Sequence, residues 1–315
     1  MKNFISLADL PDLKETLALA KSLKKDPFAF EQHAKRKTLG LLFFNPSLRT
    51  RLSTQKAAQN LGFNTMIMNF SNEAWALEFE DGTEMRGIRS EHVREAAAVV
   101  SQYCDMVAIR AFASLTDKEQ DEAEIVLNSF AQYASIPVIN MESATGHPLQ
   151  ALADAVTLSE HPTPHKPKVV LTWAPHPKAL PHAVGNSFAQ MMQAQDADFV
   201  ITNPEGYDLD PRITKNVPVL HNQEEALKNA DFVYAKNWCS YENYGSIVRT
   251  DNAWMLTTEK MELTNNAKFM HCLPVRRNIV VADGVLDHPN SLVIEQANNR
   301  TFAAQAVLKT LLDHV

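Results

Sequence analysis

Thr38-Leu-Gly-Leu-Leu-Phe-Phe44, Asn45-Pro46, Ser47-Leu48-Arg49-Thr50-Arg51, Leu52-Ser-Thr-Gln-Lys-Ala-Ala-Gln59: this stretch decides the fold. An apolar run of strand length meets a two-residue turn and then a helix-forming segment. A strand handing over to a helix through so short a turn is the βα unit of a parallel sheet. At the handover stand two hydroxyls and two guanidiniums. Uncompensated backbone N–H groups and the positive end of the helix dipole point outward at such a junction. Hydroxyls and forked guanidiniums there suit a phosphate dianion. A capped helix with two solvated arginines would show the same five residues, so the rest of the chain must discriminate.

Working outward, strand-like runs at 38–44, 65–70, 106–110, 138–141, 168–173, 198–202, 232–235, 268–271 and 291–294 alternate with helical segments. The helices are expected at 51–61, 90–103, 117–133, 147–159, 182–195, 223–228 and 300–312. This alternation predicts an α/β fold with parallel sheets flanked by helices. A length of 315 residues calls for two domains. The proline-rich stretch His161-Pro-Thr-Pro-His-Lys-Pro167 marks the break, and the domains are expected as 1–146 and 147–315.

A net charge of −7 and a pI near 5.9 argue against a general nucleic-acid or membrane surface, so a phosphate site must be a local pocket. Cys104, Cys239 and Cys272 are widely spaced and form neither a disulfide framework nor a metal-binding pair, which fits a reducing cytoplasm. Among only 9 glycines there is no GxGxxG and no GxxxxGK[ST], which excludes the common dinucleotide and P-loop fingerprints.

In open α/β sheets ligands collect beyond the carboxyl ends of the strands. The unusual polar residues fall there repeatedly: Arg110, Glu142 with His147, His176, Lys236, and Cys272 to Arg276. His147-Pro148-Leu149-Gln150 opens a helix with proline in its first turn. His147 could cap or pack there; beside a guanidinium cluster it could instead bond a carbonyl oxygen gaining charge. Gln150 could address an amide on the same ligand. Neighbouring His271 and Cys272 would point to opposite faces of a strand, so Cys272 reads as buried or a backbone contact rather than a nucleophile.

Taken together, Ser47-x-Arg49-Thr50-Arg51, His147-Pro148-x-Gln150 and His271-Cys272-Leu273-Pro274 resemble the signature of the aspartate/ornithine carbamoyltransferase family, in order and spacing over essentially the whole chain. The resemblance implies two α/β domains, the last helix (300–315) packing back on the first, a homotrimer, and carbamoyl phosphate as first substrate. It implies no cofactor and no metal. By the same resemblance Ser47, Leu48, Arg49 and Thr50 would hold the phosphate, and Arg110, His147 and Gln150 the carbamoyl group. Cys272 and Leu273 would contribute near the carbamoyl amide, and Arg300 would close the site. Trp75 would reach a neighbouring subunit's site from its loop. Arg49, Thr50, Arg110 and His147 are the expected catalytic set. A regulatory module of the same fold should have lost part of this set; here all of it is present.

The second substrate is read from departures. Ordinary ornithine enzymes carry Asp-x-Trp-x-Ser-Met-Gly in the second domain, whereas this chain has Ala235-Lys236-Asn237-Trp238-Cys239-Ser240-Tyr241. That replacement resembles the acylornithine branch, in which Glu142, His176, Lys236 and Arg276 would contact N-acetyl- or N-succinyl-L-ornithine. The acetyl enzymes have a glutamate, and the succinyl enzymes a proline, immediately before the pair matching Glu91-His92; this chain has Ser90. A carboxylate there would repel a succinyl carboxylate, and Ser90 removes that repulsion. N-succinylornithine is therefore the expected acceptor and N-acetylornithine the alternative. Ser90 could equally be the N-cap of a helix starting at Glu91.

Overall fold

In a computed structural model the chain is described over residues 1–249 and 251–314. It divides into two compact units: Met1–Ser114, Glu119–Leu152 and Arg300–Val315 form one, and Leu115–Lys118 with Ala153–Asn299 the other.

The first unit contains α1 (Leu13–Lys25), β1 (Thr38–Phe43), α2 (Leu48–Asn60), β2 (Asn64–Asn69), β3 (Leu77–Glu78), β4 (Glu91–His92), α3 (Val93–Tyr103) and β5 (Met106–Arg110). Then come α4 (Lys118–Glu122), whose Lys118 is counted with the second unit, α5 (Ile125–Tyr133), β6 (Val138–Glu142) and α6 (Pro148–Glu160), α6 running on into the second unit's residues. The main sheet is parallel with order β2-β1-β5-β6. Its central β1 and β5 are buried along nearly their whole length, so continuous apolar runs suit them. Edge strand β2 instead alternates, leaving Met66 and Met68 55% and 40% exposed. The chain leaves β1 to one side for β2 and later returns to its other side for β5. That reversal opens a crevice beyond the carboxyl ends of β1 and β5. Phe43 pairs with Arg110, so the segment after β1 and the Arg110 side chain meet at that crevice.

The second unit repeats the plan with β7 (Lys168–Trp173), α7 (Ala183–Met192), β8 (Asp198–Thr202), α8 (Pro211–Thr214), β9 (Val219–Leu220), α9 (Gln223–Leu227) and β10 (Phe232–Lys236). It continues through α10 (Thr258–Glu262), β11 (Lys268–Met270), α11 (Asp283–Leu286) and α12 (Val293–Leu312), whose residues from Arg300 onward belong to the first unit. The parallel order β11-β10-β7-β8-β9 reverses between β7 and β10, and Trp173 pairs with Lys236 at that point. In the first unit the end of α12 is fastened by buried Asn60, whose Nδ2 donates to Gln305 Oε1 at 3.0 Å, and by Gln305 Nε2 donating to the Pro27 carbonyl at 2.7 Å. Each such bond contributes about 1 kcal/mol net.

Several expected boundaries move. Residues 291–294 are not a strand: Ser291 makes one isolated bridge to Phe269, and Val293 already opens α12. A short apolar run has no period to separate the two states. The helix expected over 117–133 is broken at Glu124, where φ is +50°. The helix expected from residue 90 starts at Val93, because His92 Nδ1 accepts the Arg94 N–H at 3.2 Å and is the cap itself. Ser90 is thus not a helix cap.

His182, at the start of α7, is buried with its Nε2 2.7 Å from the Cys239 carbonyl and its ring 4.0 Å from that of Tyr241. Burial pulls its pKa from 6.5 down to about 4, helped by the Lys118 charge. The unfolded chain therefore binds the extra proton first, and stability is lost as pH falls from about 6.5 toward 4, by roughly 3 kcal/mol in full. Urea unfolding at pH 7 and pH 4.5 should show a much smaller pH-dependent loss in His182→Gln than in the unmodified protein. Equal losses would refute it.

Candidate active site

Ser47 takes the N-cap position of α2 with extended backbone, φ −154° and ψ 127°, yet its side chain makes no capping bond. A serine there ordinarily satisfies one of the first-turn amides. Left uncapped by it, those amides and the hydroxyl are disposed to receive an anion. Leu48, the first residue of α2, is 69% exposed, and Arg49 beside it is half-buried. Thr50 is buried, and its Oγ1 accepts from Arg300 Nη2 at 2.7 Å. Arg300 Nη1 donates to Gln150 Oε1 at 2.9 Å. One guanidinium fork thereby fixes a side chain on α2 and another on α6.

Arg110 ends β5, and a register irregularity between Ile109 and Arg110 sets it opposite Glu142 at the end of β6. A bulge re-aims the side chain that carries it. Arg110 Nη1 donates to Glu142 Oε2 at 2.8 Å, both residues being 8% exposed. His147 Nε2 lies 3.6 Å from the same oxygen and is 2% exposed. The Arg110 guanidinium also lies 5.0 Å from the Phe112 ring centroid. A cation, a carboxylate and an imidazole are held together in a dry place, where an electrostatic interaction with developing charge is strongest.

In the second unit His176, Lys236 and Arg276 come together. Arg276 Nε donates to His176 Nε2 at 3.4 Å, and His176 Nδ1 lies 2.9 Å from the Lys178 carbonyl and 3.1 Å from the Lys178 backbone nitrogen. Burial, and then the charges of Lys236, Arg276 and Lys178, hold His176 below the usual histidine pKa despite that carbonyl. It is therefore a neutral hydrogen-bonding group among cations near pH 7. Cys272 is buried, and Leu273 adopts φ +55°, a left-handed conformation costly for a branched side chain. The Leu273 N–H donates to His271 Nδ1 at 2.9 Å, the His271 N–H to Gln296 Oε1 at 2.9 Å, and Gln296 Nε2 to Asp154 Oδ1 at 2.7 Å. His271 thus serves its own loop.

Trp75 and Ser90 are brought together by the β3–β4 pairing. Trp75 is 57% exposed and its Nε1 donates to Glu91 Oε2 at 2.7 Å, while the Ser90 N–H donates to the Ala76 carbonyl at 3.2 Å. The Ser90 side chain is exposed. Phe112, Asp154 and Gln296 also engage the residues expected from the sequence, and Glu124 stands at the break between α4 and α5. Asp154 stands one helical turn beyond Gln150 and was legible as an acidic residue on a buried helix. Glu124 gave no sign, being placed inside a helix that does not run through it.

Residues 2–160 match the family described as "Aspartate/ornithine carbamoyltransferase, carbamoyl-P binding domain", and residues 182–311 its "Asp/Orn binding domain". The chain belongs to the aspartate/ornithine carbamoyltransferase family. Within this carbamoyltransferase family it is 50% identical to the N-succinylornithine carbamoyltransferase of Bacteroides fragilis (strain 638R), over 100% of both chains. It is 37% identical to the N-acetylornithine carbamoyltransferase of Xanthomonas campestris pv. campestris, over 99% and 98%. A solved carbamoyltransferase superposes with a TM-score of 0.93 at 36% identity, over 99% of this chain and 100% of the other. It is an N-acetyl-L-ornithine transcarbamylase with one glutamate replaced by serine, complexed with carbamyl phosphate and N-succinyl-L-norvaline.

Proposed function

We propose that this protein transfers the carbamoyl group of carbamoyl phosphate to the side-chain amine of N-succinyl-L-ornithine, giving N-succinyl-L-citrulline and phosphate, a step of arginine biosynthesis. The observation that carries the donor half is the pair of buried assemblies Thr50–Arg300–Gln150 and Arg110–Glu142–His147. Ser47, the Leu48 backbone, Arg49 and Thr50 receive the phosphate. Arg110 and His147 polarise the carbonyl oxygen and stabilise the oxyanion that forms when the neutral amine attacks carbon. The C–O bond to phosphate then breaks, and the departing phosphate takes the amine's proton. Gln150, with the Cys272 and Leu273 backbone, addresses the carbamoyl amide. Positioning and preorganised charge account for the acceleration, and no nucleophile is needed. Cys272→Ala should therefore keep activity within several-fold, and a folded but dead Cys272→Ala protein would point to covalent chemistry.

The acceptor half rests on Ser90, with Glu142, His176, Lys236 and Arg276 as the remaining contacts. Lys236 and Arg276 supply cations for carboxylates, and Ser90 leaves unopposed the place where the acetyl enzymes put a glutamate. A relative at 50% identity that bears the succinyl name, and an acetyl enzyme complexed with a succinyl compound once a glutamate became serine, both support this reading. The acetyl enzymes, at 37% identity or below, favour the alternative less. Assays with ornithine, N-acetylornithine and N-succinylornithine side by side should show the succinyl compound preferred. Ser90→Glu should lower succinyl turnover by about 10-fold or more relative to acetyl. An unchanged ratio would remove Ser90 as the discriminator.

The working form is a cytoplasmic homotrimer in which Trp75 reaches a neighbouring protomer's site. Exposed Leu48, Leu52, Met66, Met68 and Trp75 support an assembly of copies, because such apolar area favours burial.

A further inference from the structure

We propose that Glu124 is a positioning residue for the carbamoyl-binding group, clamping the turn from which Glu142 and His147 both project; this rests on the transfer reading above. Residues 143–146 are all that separates those two side chains. The Glu124 carboxylate accepts four hydrogen bonds from this turn: Ser143 Oγ at 2.7 Å, the Ala144 N–H at 3.2 Å, the Thr145 N–H at 2.7 Å and Thr145 Oγ1 at 2.5 Å. Ser143 Oγ in turn accepts from Asn140 Nδ2 at 3.1 Å and from the Gly146 N–H at 3.2 Å, and the Ser143 N–H donates to the Gly146 carbonyl at 2.7 Å. One carboxylate thus organises every residue of the turn, directly or through Ser143.

Charge-assisted bonds of this kind are about twice as strong as neutral ones. The backbone is adapted to the task at some cost, since Glu124 sits at φ +50° and ψ 40°, where a residue with a side chain is strained. An ordinary helical residue at this place would let α4 continue into α5. The break instead sets a carboxylate against the turn. What it governs is geometry, because His147 Nε2 and Glu142 Oε2 stand 3.6 Å apart and Glu142 also anchors Arg110. A displacement of about 1 Å at a reacting centre can cost 10²-fold in rate.

Glu124→Gln keeps the shape but turns an NH₂ group toward donors, and Ser143→Ala removes the relay to Asn140 and Gly146 more gently. Steady-state transfer from carbamoyl phosphate to N-succinyl-L-ornithine should show kcat lowered by about 10- to 100-fold in Glu124→Gln and by less in Ser143→Ala. Inhibition by inorganic phosphate should stay within twofold in both, since Ser47 to Thr50 lie on another element. The double variant should lose less than the product of the single losses, because both act on one turn. A kcat within threefold of the unmodified protein in Glu124→Gln would overturn the proposal. So would a fall in kcat matched by an equal loss of phosphate inhibition and of melting temperature in both variants, which marks a role in stability alone. An unmodified protein that carbamoylates none of the acceptors overturns the transfer reading itself, and is recognised before any variant is made.

Discussion

Replacing Arg110 with methionine should lower carbamoyl transfer by about 10²- to 10³-fold, the usual effect of deleting one donor to a developing oxyanion. It should also destabilise the protein by about 3–5 kcal/mol, because it strands a buried carboxylate. The Glu142 side chain is only 11% exposed and has Arg110 Nη1 at 2.8 Å, with His147 0.8 Å farther from the same oxygen at 3.6 Å. Remove the cation and the carboxylate must stay ionised without its partner, draw on His147 or take up a proton. Each route is costly in a dry site. The two effects separate in the double variant Arg110→Met/Glu142→Gln. Urea unfolding should show most of the stability restored, while the transfer assay should show none of the activity returned. Full stability in Arg110→Met alone would show the pair to be energetically idle, and retained turnover would remove Arg110 from the reaction.

Arg300 is expected to be comparably sensitive, and to distinguish charge from shape. Its two terminal nitrogens engage Thr50 and Gln150 at 2.7 and 2.9 Å. A lysine has the charge but not the fork, so Arg300→Lys can serve one partner at a time. With carbamoyl phosphate as the varied substrate, kcat/KM should fall by about 10²-fold or more in Arg300→Met. Arg300→Lys should recover little of it. Recovery to near the unmodified value would mean that only the positive charge matters there.

Both residues were legible in the sequence, though for different reasons. Arg110 closes an apolar run that could only be a buried strand, and a strand's carboxyl end is where an α/β sheet keeps its ligands. Arg300 was found through family resemblance, since nothing in its helix singles it out. The parallel sheets followed from period and spacing, and β5, β7 and β8 fall on the expected residues. What escaped was what local pattern does not encode. Leu292-Val293-Ile294 has strand composition, but its continuation into the long amphipathic α12 decides its state. Ser90 is a good capping residue, yet His92 does the capping, because the preceding residues pair as β4 with β3. Glu124 needed three-dimensional knowledge of which turn lies against it. The role of Asp154 depends on Gln296, far along the chain.

The first compact unit is not finished where its sheet is finished. Its last segment, from Arg300, is synthesised only after every strand of both units. Until then Asn60 lacks Gln305, Thr50 lacks the Arg300 fork, and the apolar surface that Ala303, Ala306, Val307 and Leu311 cover stands open. The second unit's sheet is complete in the nascent chain earlier than that. Synthesis order thus leaves the Thr50–Arg300–Gln150 assembly until after both sheets, and a chain stopped short of Arg300 lacks that assembly altogether.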